Sequence, residues 1–184
     1  MDSQVVLDFW FEEIDPSFWF MKDDLFDQQI RSRFSKTYDD VIAGKTSLWR
    51  NTPQGRLAEV IVLDQFSRNM FRDTAKAFSG DELALHLAQE AVRIGEDQKL
   101  PLVQRAFLYM PYMHSEDRDI HKEAVRLFSQ KGLENNYKFE LLHKEIIDRF
   151  GRYPHRNKIL GRVSTPEEIE FLKKPGSSFL IFFF

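Results

Sequence analysis

The chain has 184 residues, 42% of them hydrophobic and 30% charged, with a net charge of −3 and no cysteine. That length suits one domain with a sizeable core. The composition excludes disulfides and thiolate chemistry and offers no electrostatic reason to expect nucleic acid. The start, MDSQVVLDFWFEE, is acidic and carries no basic signal region. No apolar run is long enough to span a bilayer. A cytoplasmic protein without a membrane partner is therefore expected.

Ser3 to Glu13 reads as a first helix with Ser3 as N-cap, because Val6, Leu7, Trp10 and Phe11 recur at helical spacing. Asp15-Pro16 breaks it, and Trp19 and Phe20 follow in an aromatic connector. Asp23 or Asp24 caps a second helix running to about Ala43, with Phe26, Ile30, Phe34, Tyr38 and Val41 inward and Gly44 as its stop. Thr52-Pro53, a cap followed by proline at the first helical position, opens the central helix.

The rest of the chain is organised around that helix, above all Leu57 to Arg72, LAEVIVLDQFSRNMFR. Its first half is apolar nearly all round, as in a buried helix. At about 100° per residue, Asp64, Gln65, Arg68, Asn69 and Arg72 then share one side.

Ser79-Gly-Asp-Glu82 reads as a capping box for the next helix, whose small residues Ala84, Ala88 and Ala91 suit close packing, and Gly95 ends it. Pro101 opens a helix through Met110, and Pro111 disturbs its end. Ser115 caps another, with Glu116 and Asp117 in its first turn, ending near Gly132. Glu134 to Phe150 forms a further helix stopped by Gly151, and the basic loop RYPHRNK follows. Thr165-Pro-Glu-Glu168 opens a short last helix to Lys173. No stretch alternates, so the fold is all-α with essentially no sheet. Short loops imply an array of antiparallel helical hairpins. Residues 1–178 form one domain, and 179–184, FLIFFF, an apolar tail that could dock on the body or pair two copies into a homodimer.

Four polar constellations stand out, each with a plain alternative. Arg68 and Arg72, with Gln65 and Asn69 beside them, can fork onto a carboxylate or phosphate, or Asp64 and Arg68 can pair at a solvated, ion-paired helix end. His114, Glu116, Asp117 and His121 suggest a carboxylate beside a histidine, with Asp117 and His121 on one face, or helix capping plus a core histidine. No strong zinc spacing is present, and neither metal nor cofactor is expected. His143 sits among apolar neighbours and reads as a core residue. Arg149, Arg152, His155, Arg156, Asn157, Lys158 and Arg162 form the densest positive stretch, which is either an anion site or a clamp on helix ends and buried carboxylates.

The blocks VLDFWF (Val6–Phe11), Trp19-Phe20, LDQFSRNMFR (Leu63–Arg72), PYMHSED (Pro111–Asp117) and FGRYPHRNKILGRVSTPEEIEFL (Phe150–Leu172) are distinctive. Through them the chain resembles the bacterial domain-of-unknown-function family 924. The resemblance implies an all-helical, tetratricopeptide-like right-handed superhelix and no particular activity. The tail Leu180–Phe184 departs from the family pattern.

The strings that carry the resemblance are polar ones. If they converge, they make a pocket from Asp64, Gln65, Arg68, Asn69, Arg72, His114, Glu116, Asp117, Arg152, His155, Arg156 and Asn157. Such a pocket would bind a small anionic molecule or the carboxylate of a peptide through Arg68, Arg72 and Arg156. The alternatives are a tetratricopeptide-like interaction scaffold, a hydrolase using His155 or His114 with Asp117, and a purely structural salt-bridge network.

Overall fold

The structure is a computed structural model, and it describes residues 2–178. Among these residues every regular element is helical and there is no strand. No helix among them is long and apolar enough to cross a membrane. The expectations for the tail, Phe179–Phe184, lie outside the described residues.

α1 (Ser3–Asp8) is capped by Asp2 rather than Ser3: the Asp2 carboxylate accepts from the Gln4 amide at 3.1 Å, and the Ser3 hydroxyl turns back to it. The helix widens into a π turn, Phe9–Glu13, which places Phe9 and Trp10 fully inside. There they meet aromatic rings from α2 (Asp24–Ile42) and the central helix: Phe9 lies 5.0 Å from Phe34, and Trp10 5.5 Å from Phe66. Asp23 caps α2 through the Phe26 amide.

The central helix has three parts: α3 (Pro53–Val60), a π turn (Ile61–Phe66) and α4 (Ser67–Met70). Thr52 caps it as expected. The even 100° spacing does not hold through the π turn, because a wider turn takes up an extra residue. Leu57 through Asp64 are fully buried, including Glu59, which is held by Arg50 at 2.7 Å and Thr46 at 2.5 Å. Gly55 is required: a Cβ there would lie 1.9 Å from the Trp49 carbonyl oxygen, where the 3₁₀ turn Ser47–Asn51 presses on α3.

Three local expectations are corrected. α5 (Asp81–Arg93) has Gly80 at its N-cap and no side-chain cap. Gly80 sits against the Leu63 backbone, and the Ser79 hydroxyl donates to the Lys76 carbonyl, so the capping box does not form. α6 (Leu102–His114) continues through Pro111 to His114, because the helix is buried there and its packing outweighs the lost hydrogen bond. α7 (Arg118–Phe128) is capped by Asp117, not Ser115, and ends before Gly132. α8 (Glu134–Phe150), closed by left-handed Gly151, and α9 (Pro166–Leu172), opened by a complete Thr165/Glu168 capping box, follow their local signals.

α3 packs on α1, α5 and α6, α2 packs on the π turn and α4, and α5 packs on α6, α6 on α7 and α7 on α8. This arrangement sets the polar end of the central helix against the end of α6 and the loop after α8.

Candidate functional site

A cavity of about 490 Å³ opens where these pieces meet. Gln65, Arg68, Asn69 and Arg72 reach it from the central helix, His114 from the last turn of α6, and His155 and Arg156 from the 3₁₀ turn Pro154–Arg156. Trp19, Phe20 and Met21 line it from the aromatic connector, Met110 and Met113 from α6, and Phe139 and His143 from α8. Tyr153, Phe78 and Ile159 complete much of a mostly apolar wall.

Most of the charges at this site are already matched. Arg68 forks onto Asp81 at 2.8 and 2.9 Å and lies 3.3 Å from Asp64. Arg72 forks onto Asp27 of α2 at 2.5 and 2.8 Å, and Asn69 donates to the same carboxylate at 2.8 Å. At the rim Lys22 pairs with Asp73 at 3.4 Å. Burial works against the Arg68 cation, but Asp81 and Asp64 outweigh it and hold the guanidinium charged.

Asp64 is the hub. Its carboxylate lies 2.7 Å from His114 Nδ1 and 2.7 Å from the Gln65 amide. Burial pushes its pKa up, yet the Arg68 charge and the hydrogen bonds from His114 and Gln65 overcome this and hold it at about 2. A carboxylate accepts, so the Nδ1 of His114 carries the proton and donates to it. Burial keeps the His114 ring below its ordinary pKa. It is therefore a neutral imidazole oriented by a buried aspartate, and its other nitrogen has no hydrogen-bond partner among the described residues.

Arg156 differs from the other arginines. It is 7% exposed, and its guanidinium carbon lies over the rings of Tyr153 and Phe78, 4.6 and 4.7 Å from their centroids. It donates to the His114 carbonyl at 3.0 Å and stands 3.8 Å from Asp81, and its Nε has no hydrogen-bond partner among the described residues. Burial, with Arg68 nearby, lowers its pKa.

The remaining expected site residues are placed elsewhere. Glu116 accepts a fork from Arg162 at 2.7 and 2.9 Å and the Tyr153 amide at 2.8 Å, which ties the basic loop to the start of α7. Asp117 is exposed and accepts from the amides of Asp119 and Ile120. Arg152 and Asn157 both hold Glu168, the capping residue of α9. These four residues do not line the cavity; they hold its walls in place.

Asp117 is not the carboxylate beside His121. That partner is Glu140 of α8, 2.7 Å away, with both side chains fully buried. Burial raises the pKa of Glu140, and His121 Nε2 faces the Ser115 carbonyl at 2.7 Å. His143 is a wall residue of the cavity as well as a core one: its Nδ1 donates to the Phe139 carbonyl at 2.7 Å, and burial keeps the ring neutral. Burial and Arg156 push His155 down to about 3.

Asp27, Asp81, Tyr153 and His143 contribute to the site and were not among the expected site residues. Asp27 carried a signal, since it is a carboxylate beside Phe26 on the inward face of α2. Asp81 was read as part of a cap, and nothing local marks it as the partner of Arg68. Among the described residues, no three His, Asp or Glu side chains are grouped so as to hold a metal ion.

Comparison with known proteins agrees with this architecture. A solved structure of a protein of unknown function from Agrobacterium tumefaciens is 37% identical, with a TM-score of 0.88 over 93% of this chain and 96% of that one. No curated protein matches. The family model described as "Bacterial protein of unknown function (DUF924)" matches residues 6–176, nearly the whole chain, and the chain belongs to that family.

Proposed function

We propose that the cavity binds a small organic anion, with Arg156 as its anchor. One observation carries this reading: a guanidinium more than nine-tenths buried in the cavity wall, with Nε unsatisfied among the described residues. A buried donor without an acceptor costs about 1–3 kcal/mol, more when charged, and an anion in the cavity would relieve that cost. Arg68 and Arg72 contribute less directly, because each already forks onto an aspartate. They support the floor of the site.

Thermal unfolding tests this. A ligand at a hundred times its Kd stabilises by about 2.7 kcal/mol, which raises the Tm of a domain this size by about 5–10 °C. The wild type should shift with at least one member of a panel of carboxylates, phosphates and short peptides, and Arg156→Ala should fold but not shift. An equal shift in the variant would refute the anchor.

A second reading has its own observation, the Asp64–His114 pair. A neutral imidazole held by a buried aspartate beside two arginines is the arrangement of a general base next to an oxyanion site. In a hydrolase, His114 would take the proton of an attacking water, and Arg156 would face the developing oxyanion. His155, at about 3, is too weak a base for this at neutral pH. Loss of ester hydrolysis in His114→Gln, with binding retained, would favour this reading. A tetratricopeptide-like scaffold is supported only by the consecutive packing of α5 to α8. It calls for an open peptide groove lined by exposed aromatics, yet Trp10 and many of the phenylalanines are core residues.

A further inference from the structure

The charge and shape of the cavity narrow the ligand, given the anion-binding reading above. We infer that it takes a monocarboxylate with a flat apolar or aromatic body, and that it discriminates against phosphate and other compact dianions.

The first argument is charge. Among the described residues that line the cavity, Lys22, Arg68 and Arg72 each have an aspartate within 3.4 Å. Among the described residues Arg156 is under-matched: Asp81 stands 3.8 Å away and is already forked by Arg68, and Glu116 acts on it from beyond ion-pair distance. Asp64, close behind the wall, adds negative charge that His114 does not cancel, because that ring is neutral. A site with one unsatisfied guanidinium and otherwise balanced charge holds one negative charge. A dianion would be desolvated against carboxylates with too little positive charge to compensate it.

The second argument is geometry. Arg156 is restrained, since its guanidinium carbon lies over the rings of Tyr153 and Phe78 and the group donates to the His114 carbonyl. A restrained, planar donor suits a planar acceptor, and a carboxylate is planar where a phosphate is tetrahedral. Away from the arginine the wall is built from Trp19, Phe20, Met110, Met113 and Phe139. Thioethers and ring faces pack well on flat carbon skeletons and offer an inorganic ion nothing. The volume, about 490 Å³, is in the range of small-molecule sites and far exceeds what a lone phosphate fills.

The test is calorimetric titration of the full chain with three probes: 2-naphthoate, its neutral amide 2-naphthamide, and inorganic phosphate. Naphthoate should bind at least tenfold more tightly than naphthamide, and phosphate should give no heat of binding at millimolar concentration. Arg156→Gln should lose the preference for naphthoate over naphthamide. Arg149→Gln, which removes an arginine outside the cavity, should keep it. Because the comparison between the two naphthalene probes is made on the wild type, it stands even if Arg156→Gln does not fold. Tighter binding of phosphate than of naphthoate, abolished in Arg156→Gln, would overturn the monocarboxylate inference and leave the anion reading intact. Equal binding of naphthoate and naphthamide would overturn both. No binding of naphthoate would overturn the inference, and the anion reading would then stand or fall on the wider panel.

Discussion

His114 Nδ1, at the end of α6, lies 2.7 Å from a carboxylate oxygen of Asp64 on the π turn of the central helix. Fifty residues apart in sequence, the two meet behind the cavity wall. Asp64 also takes the Gln65 amide and lies beside Arg68, so one fully buried carboxylate fixes three neighbouring side chains. Asp64→Ala should leave His114 and Arg68 short of a partner and cost about 3 kcal/mol. The Tm should fall by about 6–12 °C. Urea unfolding would measure it, and a loss below about 1 kcal/mol would show that Asp81 alone satisfies Arg68.

Arg72 and Asp27 join the end of the central helix to α2 by a largely buried fork. Removing either partner alone strands the other and should cost about 3 kcal/mol. Removing both should cost clearly less than the sum, because neither charge is then left alone. A double-mutant cycle reads the coupling directly; additive losses would mean that water already satisfies the pair.

Stability should begin to fall early on acidification. His114, His143 and His155 are held neutral in the folded protein by burial, with His155 at about 3. In the unfolded chain they take up protons near their ordinary value of about 6.5. Below that pH the unfolded state binds more protons, so stability drops as the pH falls from about 6.5. His155→Asn should flatten this part of the profile of urea midpoint against pH. A flat wild-type profile between pH 6.5 and 5 would contradict the neutral histidines.

A second loss should follow at lower pH. The hydrogen bond from Arg152 holds Glu168 at about 2, and Asp64 lies at about 2 as well. Their folded values are depressed, so their stabilisation is complete above the ordinary carboxylate range. It disappears as the pH falls through about 2. Glu168→Gln should weaken this step and loosen α9, detectable as faster amide exchange over residues 166–172.

Two glycines should respond very differently to alanine. At Gly55 an added Cβ would lie 1.9 Å from the Trp49 carbonyl oxygen, so Gly55→Ala must displace the backbone. It should cost at least about 3 kcal/mol or prevent accumulation of folded protein. At Gly44 nothing lies within 4 Å of a Cβ, and only the positive φ of 70° is strained. Gly44→Ala should cost about 1 kcal/mol. Similar losses at both sites would mean that the turn before α3 is not pressed against it.

Much of the helical framework was legible because its signals act within about four residues. Thr52-Pro53, Gly151 and the Thr165–Glu168 box stop or start helices by satisfying nearby amides and carbonyls. Gln65, Arg68, Asn69 and Arg72 line one cavity and Asp64 does not, although the π turn upsets the even spacing from which a shared polar side was read. Long-range competition decided the rest. Ser79 lost its cap because Gly80 had to approach Leu63, and Pro111 stayed helical because α6 is buried around it.

Local pattern, then, sets where this chain turns helical and which faces avoid water. Tertiary structure alone decides which carboxylate each arginine meets. Arg68 finds Asp81, Arg72 finds Asp27, Arg152 finds Glu168 and Arg162 finds Glu116, at separations from 13 to 46 residues. Arg156, in the same basic loop as two of them, is left buried with an unsatisfied Nε. The reason is physical: charges of equal kind look alike along a sequence, and only the packed helices determine which are compensated before a ligand arrives.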